Sequence, residues 1–461
     1  MIRKKFIGRR NELNSLMRTS ESEGFEFMVI TGRRRVGKSR LLREFSKDKT
    51  PLFLMCEDRK WEYNLDKFNS LIGSHFSIPK PGFRSFRDCF EYIKSKDPNS
   101  LIIIDEFSYL NNNKEIFAEF QGIIDEVLME TKCGLIISGS SISMMEREVL
   151  GKKSPLYGRT TSNLVIRPFN FSTLFEWFPD ISMEDAVRLF GVCDGIPKYL
   201  EFFEGKDVLA EIERNLFQPD TFLFREPRYL LEEELREPAT YYQILEGISL
   251  GRNNVTEIAQ YSYIEPKNIS VYLETLMNLG FVKREKPIMG KKSIYRISDN
   301  LFRFWFRFTS PHFSEIDAWY DQGAKDDLKS NFDHYLGPVF EEVCRQIARS
   351  WMKYPTLGGW WFNEEEIDIV GLNQSAGEVL FAECKWSSGK MDRSLFFDLL
   401  NKSRKFRWRN DDRKEQFALF SRGGFTERLK EISRERSDLI LFDLEEMEKT
   451  VMNKIQTTNP D

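Results

Sequence analysis

The stretch TGRRRVGKSR, residues 31–40, decides the fold of this chain. From Gly32 to Ser39 it has the GxxxxGK[ST] spacing of a phosphate-binding loop. An apolar run, FEFMVI (25–30), precedes the loop, and the amphipathic run SRLLREF (39–45) follows it. A strand is therefore expected to enter the loop and a helix to leave it, with backbone N–H groups curling around phosphates at the helix N-terminus. The pattern predicts a nucleotide site on a parallel sheet.

Each residue of the loop has an expected task. Lys38 is expected to contact the β and γ phosphates of ATP, and Ser39 to hold Mg²⁺. The other residues expected to line the nucleotide are Gly32, Arg33, Arg34, Arg35, Val36, Gly37 and Arg40. A chance glycine loop would lack this strand–loop–helix context, so the context favours a nucleotide site.

The run LIIIDEF, residues 101–107, supplies the acidic partner of the loop. Asp105 would reach Mg²⁺ from the carboxyl end of a buried strand, and Glu106 would orient the attacking water. Paired acids at a strand end also occur in solvated turns. A complete phosphate loop upstream favours the catalytic interpretation.

Further apolar runs extend the sheet. The runs predicted as its buried strands are 25–32, 51–57, 100–106, 134–140 and 162–169. Their near-continuous apolar character is typical of a parallel sheet covered on both faces. Helical patterning rich in Phe and Leu replaces it over residues 170–235.

Bulk composition sets the outer limits on function. The 461 residues suggest about three domains, and 68 basic against 72 acidic residues leave a net charge of -4, which neither demands nor excludes nucleic acid. Six cysteines without a CxxC pair favour reduced thiols over disulfides or a zinc site. No apolar run approaches the ~20 residues of a membrane span, and no apolar segment follows the N-terminal charges. We expect a cytoplasmic protein without a membrane partner.

In these motifs the chain resembles, along its whole length, the archaeal-type ATPases of the STAND branch of the AAA+ superfamily. FIGRRNEL resembles the N-terminal box of that family, which implies that Phe6, Ile7 and Gly8 pack near adenine. SGSSISMM resembles the sensor region, which implies a polar contact from Ser140. GIPKYL resembles the lid motif, which implies that Gly195 and Pro197 close over the base; the alternative for Pro197 is an ordinary turn proline or a proline at the first position of a helix.

The same resemblance assigns a role to one arginine. SPLYGRT places Arg159 between a helix and the fifth strand, where AAA+ proteins carry an arginine finger. A finger acting in trans would require a homo-oligomer. The alternative is a surface charge.

Residues 237–300 resemble a winged helix-turn-helix. Val255, Ile258 and Ala259 form one apolar edge at helical spacing, and a second edge follows Pro266. Two strands on either side of residues 287–292 would form the wing. The residues expected to contact DNA phosphates or base edges are Lys267, Asn268, Lys283, Arg284, Lys291 and Lys292. The alternatives are a solvated charged face or a protein-docking module.

Near the end of the chain, EIDIVGL and EVLFAECKW are predicted to form a β-hairpin around a turn at residues 373–377. Leu372 would then pair with Glu378, and Asp368 would lie opposite residue 382, close to Glu383. Side chains two apart on a strand share a face, so Glu383 and Lys385 should point together. A helix beginning near Pro338 would bring Glu341 or Glu342 to the cluster.

Clustered carboxylates of this kind are typical of sites for hard cations. The pattern resembles the PD-(D/E)xK nuclease superfamily, although Ile367 stands where the motif has proline. The resemblance implies that Asp368 and Glu383 hold Mg²⁺ or Mn²⁺, that Lys385 orients water or stabilises charge, and that Glu341 completes the site. The alternative is a charged hairpin with a Glu383–Lys385 ion pair and no metal.

Together these patterns predict an α/β protein with a P-loop AAA+-like parallel sheet, a helical lid, a winged helix-turn-helix and a C-terminal α/β restriction-endonuclease-like domain. The predicted ranges are 1–168 for the ATPase domain, 169–236 for the lid, 237–300 for the winged helix, 301–335 for an aromatic-rich connector and 336–461 for the nuclease-like domain. The predicted function is an ATP-hydrolysing switch coupled to DNA binding and metal-dependent DNA cleavage. The alternatives are a signalling NTPase whose C-terminal domain binds DNA or protein without cutting, and a DNA-binding regulator with ATP-gated affinity.

Overall fold

The structure, a computed structural model, describes residues 6–112, 115–140, 142–351, 354–362, 365–410 and 412–458. The chain divides into an N-terminal unit, Met1–Pro168 with Ile196–Lys198, and a C-terminal unit, Phe169–Gly195 with Tyr199–Asp461. Over the parts of the chain that the structure covers, no helix is long and apolar enough to cross a bilayer.

The N-terminal unit is built on a parallel sheet of five strands in the order β2-β3-β4-β1-β5. Its elements in chain order are α1 (Arg10–Ser20), β1 (Glu26–Thr31), α2 (Lys38–Phe45), β2 (Leu52–Met55), α3 (Trp61–His75), α4 (Phe86–Lys96), β3 (Leu101–Asp105), α5 (Glu115–Gly122), β4 (Gly134–Gly139), α6 (Ile142–Glu148) and β5 (Ser162–Val165). Each strand lies inside the apolar run that predicted it, so the parallel sheet is confirmed.

Strand β1 shows why these runs are apolar throughout. Phe27 and Val29 belong to the core on one face of the sheet, whereas Met28 and Ile30 belong to the core on the other. Both faces are therefore dry, as a continuous apolar run predicts. Because β1, β3 and β4 run parallel, the residues that follow their carboxyl ends meet at one edge of the sheet.

The first part of the C-terminal unit is helical and ends in a two-stranded antiparallel hairpin. Its elements are α7 (Thr173–Trp177), α8 (Met183–Cys193), α9 (Pro197–Leu200, which begins in the N-terminal unit), α10 (Val208–Leu216), α11 (Phe222–Glu234), α12 (Pro238–Ser249), α13 (Val255–Tyr261), α14 (Pro266–Asn278), β6 (Val282–Glu285) and β7 (Ile294–Ile297). Helix α14 begins at Pro266, as predicted, and Gly280 follows it with a φ of 76°. Ile258, Ala259 and Ile269 are buried in one core with the hairpin.

The second part of the C-terminal unit carries a mixed sheet in the order β12-β11-β10-β9-β8. Its elements are α15 (Asn300–Phe304), α16 (Phe313–Asp317), α17 (Gln322–Trp351), β8 (Thr356–Phe362), β9 (Glu365–Asn373), β10 (Glu378–Lys385), α18 (Arg393–Lys405), β11 (Lys414–Ser421), α19 (Glu427–Glu435), β12 (Leu439–Phe442) and α20 (Leu444–Thr458). Strand β9 is antiparallel to both β8 and β10, and β10, β11 and β12 are parallel. Phe381 packs with α18 on one face, whereas the Cys384 thiol meets Cys344 of α17.

Helix α17 corrects one prediction. The helix begins at Gln322 rather than near Pro338, which lies inside it, and the predicted boundary between residues 335 and 336 falls within the helix. A proline in a helix interior forfeits one backbone hydrogen bond. Burial on both sides of Pro338, by Leu336 and Phe340 among others, offsets that loss.

The β9–β10 hairpin corrects a second prediction. Asn373 pairs with Glu378 and Leu372 with Val379, so the register is shifted by one residue from the predicted pairing of Leu372 with Glu378. The Asn373 amide oxygen accepts a hydrogen bond from the Ala376 N–H at 3.2 Å, which keeps Asn373 in the strand and confines the turn to residues 374–377. Asp368 is consequently not opposite residue 382, whose partner is Ile369.

Candidate functional site

The phosphate loop is shaped by its glycines. Gly32 has a φ of 156°, and a Cβ added there would lie 2.5 Å from the Ile166 carbonyl oxygen, so only glycine fits beside the end of β5. Gly37, with a φ of 93°, is the residue from which α2 begins. The loop therefore presents backbone rather than side chains at the start of α2, as phosphate binding requires.

The Lys38 side chain folds back onto the backbone of this loop. Its side chain is buried, and its Nζ donates hydrogen bonds to the carbonyl oxygens of Gly32 at 2.8 Å and Arg33 at 3.2 Å. The ammonium group is thus held close to the backbone that would surround the phosphates. Of the other predicted loop residues, Val36 is buried, and Arg33, Arg34, Arg35 and Ser39 are partly buried, whereas Arg40 is exposed.

The acidic pair lies at the end of β3, as predicted. Asp105 is fully buried; its Oδ1 accepts a hydrogen bond from the Ser138 hydroxyl, and its Oδ2 has no hydrogen-bond partner among the described residues. A buried carboxylate oxygen left unpaired is costly, and a hard cation would satisfy it. The donor set of Asp105 and Ser39 therefore fits Mg²⁺.

Glu106 is held by the residue predicted for the sensor region. The Ser140 hydroxyl donates to Glu106 Oε2 at 2.7 Å, and the Ser140 backbone N–H donates to the same oxygen at 3.2 Å. Glu106 has a φ of 55°, a conformation that non-glycine residues seldom adopt and that is frequent at functional sites. Ser140 thus fixes the carboxylate that was expected to orient water.

The N-terminal box meets the loop through a residue that the sequence patterns did not single out. Phe6 packs in the core that contains Val36, and Gly8 has a φ of 64°. The Arg9 guanidinium then donates from Nη2 to the carbonyl oxygens of Val36 at 3.2 Å and Arg167 at 2.5 Å. The only signal for Arg9 was its position directly after the glycine.

Two other predicted nucleotide-site residues have different surroundings. Pro197 approaches the loop: its Cγ lies 3.8 Å from where a Cβ of Gly37 would be. Arg159 instead makes a two-pronged ion pair with Asp125, at 2.7 Å from Nε and 2.6 Å from Nη2. Within this chain the predicted finger residue is therefore already bound to a carboxylate.

An irregularity in β9 lies at Asp368, one of the C-terminal carboxylates. The β8–β9 register shifts between the pairs Gly358–Val370 and Trp360–Ile367, so that Asp368 and Ile369 together face Gly359. Such a bulge re-aims a side chain. Asp368 Oδ2 accepts a hydrogen bond from the Cys384 backbone N–H at 2.8 Å.

Burial and mutual repulsion perturb these groups. Burial, and then the Glu383 charge, raise the pKa of Asp368 to about 7, against the opposing effect of Lys385. Burial, and then the Asp368 charge, raise the pKa of Glu341 to about 7. Asp368 therefore interacts with both Glu341 and Glu383, and these three carboxyl groups form the acidic cluster, with Lys385 close to Asp368.

Glu383 has a partner that the sequence did not reveal. Lys402 Nζ, from α18, donates to Glu383 Oε1 at 2.5 Å, and the Glu383 side chain is only 5% exposed. In the covered parts of the chain, no group of three or more acidic, Cys or His side chains is arranged as a formed metal site. The carboxylates suit a hard cation by their chemistry, but Lys402 takes the place of a cation at Glu383.

The predicted DNA-contacting residues split into two groups. Lys267 and Asn268 at the start of α14 are exposed, as are Arg284, Lys291 and Lys292 on the hairpin. Lys283 is partly buried and forms an ion pair with Glu285 at 2.7 Å; Lys267, although exposed, also forms an ion pair, with Glu265 at 2.6 Å. The hairpin loop is also tied to β8, because the Ile288 N–H donates to the Gly359 carbonyl oxygen at 2.9 Å and Trp361 Nε1 donates to the Lys292 carbonyl oxygen at 2.9 Å.

Comparison with known proteins gives two matching family models. Residues 6–203 match a model described as an ATPase domain predominantly from Archaea, and residues 305–395 match one described as archaeal and bacterial proteins of unknown function. Uncharacterized protein MJECL04 of Methanocaldococcus jannaschii is 34% identical over 458 residues, which cover 96% of this chain and 99% of the relative.

Two solved structures resemble part of this chain. The Walker-type ATPase PABY2304 of Pyrococcus abyssi is 22% identical, with 66% of this chain and 97% of that chain covered and a TM-score of 0.52. The ORC2 protein of Aeropyrum pernix is 15% identical, with 71% of this chain and 97% of that chain covered and a TM-score of 0.43. The Pyrococcus likeness supports a P-loop ATPase fold.

Proposed function

This chain belongs to the same family as protein MJECL04 of Methanocaldococcus jannaschii and carries the archaeal-type ATPase domain at residues 6–203, and from that premise we propose that it is an ATP-hydrolysing switch whose C-terminal domain binds and cuts DNA. The observation that carries the ATPase half is the unpaired Asp105 Oδ2, buried at the same sheet edge as Lys38 and the phosphate loop.

The ATPase chemistry follows from the positions of three side chains. Lys38 binds the β and γ phosphates once they displace it from the loop carbonyls, and Glu106 orients the attacking water. Ser39 and Asp105 would hold Mg²⁺, which neutralises phosphate charge when bound. Phe6, Ile7, Gly8 and Pro197 enclose the base in this proposal. Once Arg159 has left Asp125, its guanidinium stabilises the phosphate that is transferred in a neighbouring subunit.

The nuclease half rests on the acidic cluster. Asp368 and Glu383 would hold Mg²⁺ or Mn²⁺, which supplies charge stabilisation for phosphodiester hydrolysis. Glu341 completes the carboxylate set, and Lys385 stabilises developing negative charge. The order helix, three antiparallel strands, helix and parallel strand supports the restriction-endonuclease-like assignment for residues 336–461.

The middle module delivers DNA to this site in our proposal. Three helices followed by an antiparallel hairpin support the winged-helix assignment. The exposed side chains Lys267, Asn268, Arg284, Lys291 and Lys292 would contact phosphates, Lys267 after its ammonium leaves Glu265. Lys283 is assigned to the wall of the acidic site instead.

One observation favours a second candidate function. The Lys402 ammonium neutralises the Glu383 carboxylate without any metal ion, as it would in a C-terminal domain that binds DNA or protein without cutting. A signalling NTPase of that kind needs no metal at Asp368.

A single experiment separates the two candidates. Purified protein is incubated with Mg²⁺ or Mn²⁺, with and without ATP, against linear, circular and branched DNA. Cleavage of any form that EDTA abolishes supports the nuclease proposal. Binding without cleavage under every condition supports the non-cutting candidate.

A further inference from the structure

A cleft of about 340 Å³ opens beside the acidic cluster, wholly within the C-terminal unit. The hairpin contributes Lys283 and Arg296 to its wall, α17 contributes Glu341 and Arg345, and the mixed sheet contributes Trp361 and Asp368. Proteins bind drug-sized ligands in clefts of this order, about 300–1,000 Å³. The cleft therefore has room for a nucleotide-sized group and leads to the carboxylates.

The hairpin side of the cleft is basic and has unused donors. Lys283 and Arg296 are partners across the hairpin, and both contact Glu285, at 2.7 Å and 3.0 Å. Arg296 Nε is buried and, despite its closeness to Glu285, is not aligned for a hydrogen bond. The Nε of Arg345 is also buried and has no acceptor among the residues that the structure describes, although its Nη1 pairs with Glu342 at 2.6 Å. Guanidinium donors of this kind match phosphate oxygens.

An aromatic ring completes the lining. The Trp361 indole is held by its hydrogen bond to the Lys292 carbonyl oxygen, so its ring has a fixed orientation. Aromatic rings next to basic side chains are the usual platform for unpaired bases, since every base can stack on them.

The hairpin also limits what can enter. Its loop is fastened to β8 by the Ile288–Gly359 hydrogen bond, and Ile288 and Met289 pack against the core of the mixed sheet. The grooves alone of a DNA duplex are about 6 to 12 Å wide, so an intact duplex does not fit into a cleft of this size. A single unpaired strand does.

We propose that this cleft accepts the unpaired end of a nucleic-acid strand and excludes intact duplex, with Arg296 and Arg345 binding a phosphate and Trp361 stacking a base. This inference rests on the proposed function, because it names the substrate form of the same acidic site. The predicted wing residue Lys283 then serves the single strand at the acidic site rather than a duplex groove.

The test measures binding by fluorescence anisotropy, with full-length protein in EDTA so that nothing is cut. The probes are a short single strand, a blunt duplex of the same sequence and a duplex with an unpaired tail. Arg296→Ala and Trp361→Ala are expected to weaken binding of the single strand and the tail about 10-fold, a loss of ~1.4 kcal/mol. Trp361→Phe retains a ring and should keep most of the affinity. Arg434→Ala removes an exposed arginine of α19 outside the cleft and should change nothing.

The outcomes separate this inference from the nuclease proposal. If Arg296→Ala lowers the affinity for the single strand but not for the duplex, the inference is supported. This holds whether or not wild type cuts DNA in Mn²⁺. Single-strand binding unchanged in both folded cleft variants overturns it, as does equal loss of duplex and single-strand binding. Failure of cleavage alone counts against the nuclease proposal and leaves this inference standing.

Discussion

Partly exposed Lys402 forms an ion pair with buried Glu383, with Lys402 Nζ 2.5 Å from Glu383 Oε1. The pair joins α18 to β10 at the position where a metal-dependent site would place its cation. In the proposed metal site, the lysine and a divalent cation would therefore compete for one carboxylate.

Removing Lys402 should expose this competition. Lys402→Met leaves Glu383 buried without a partner, which should cost about 3 kcal/mol, the lower end of the range for buried pairs, because Lys402 is partly exposed. Urea unfolding in EDTA measures the loss. Adding Mn²⁺ should restore more stability to the variant than to wild type.

Lys405→Met is the matched control, because Lys405 lies on the same helix and pairs with the more exposed Glu365 at 2.5 Å. That variant should lose less than about 1 kcal/mol and show no extra response to Mn²⁺. Equal behaviour of the two variants would argue against a cation site at Glu383.

The acidic cluster should also make stability depend on pH. Asp368 and Glu341 each have a folded pKa of about 7, above the unfolded values of about 4, so the folded state binds the extra protons. Stability contributed by these protons is present below about pH 4 and is lost as pH rises towards 7. Asp368→Asn, which carries no charge, should therefore be more stable than wild type by roughly 2–4 kcal/mol at about pH 8 in EDTA, with a smaller gap at about pH 5.

Denaturant melts at the two pH values provide the measurement. Glu435→Gln, at an exposed acid of α19, serves as the control and should show no such gap. If the difference in unfolding free energy between Asp368→Asn and wild type were the same at both pH values, the pKa of the Asp368 carboxyl would not be raised as described.

The phosphate loop and the acid at β3 should separate binding from hydrolysis. Lys38→Ala removes the charge expected to meet the phosphates and should abolish ATP binding, whereas Glu106→Gln should bind ATP but hydrolyse it at least ~100-fold more slowly. Equilibrium binding of a fluorescent ATP analogue and phosphate release measure the two effects. Hydrolysis by Glu106→Gln at the wild-type rate would exclude the assigned role.

Arg159 should act only between subunits if it is a finger. Its ion pair with Asp125 occupies it within the chain, so Asp125→Ala should leave Arg159 available and should not lower the ATPase rate. Mixing Lys38→Ala with Arg159→Ala protein should restore part of the activity, because mixed assemblies contain interfaces with both groups intact. A specific activity that stays constant on dilution to monomer would contradict action in trans.

Much of the fold follows from local sequence, and the exceptions have physical causes. All five parallel strands lay in apolar runs, and in the central strand β1 both faces are buried, whereas the edge strand β5 has exposed residues at Asn163 and Val165. The hairpin register could not be read to one residue, since a side-chain hydrogen bond at Asn373 decides where the turn begins. The start of α17 was hidden because tertiary burial overrides Pro338.

The site residues also divide into those that the sequence predicts and those that it does not. The motif residues Lys38, Asp105 and Glu106 lie where their spacing predicts, because a short loop and a strand end leave little freedom. Lys402 and Arg9 were missed, since each contacts its partner only after distant segments pack together. Charge alone does not distinguish such residues from solvated ones.

The most direct test of the proposed metal-dependent nuclease compares DNA cleavage by Asp368→Asn and by wild type in Mn²⁺. ATP hydrolysis is followed in the same samples. We predict that wild type cuts DNA, that Asp368→Asn loses cleavage by at least ~100-fold, and that both hydrolyse ATP at the same rate. Equal cleavage by the two proteins, or no cleavage of any DNA form by wild type, would contradict the account.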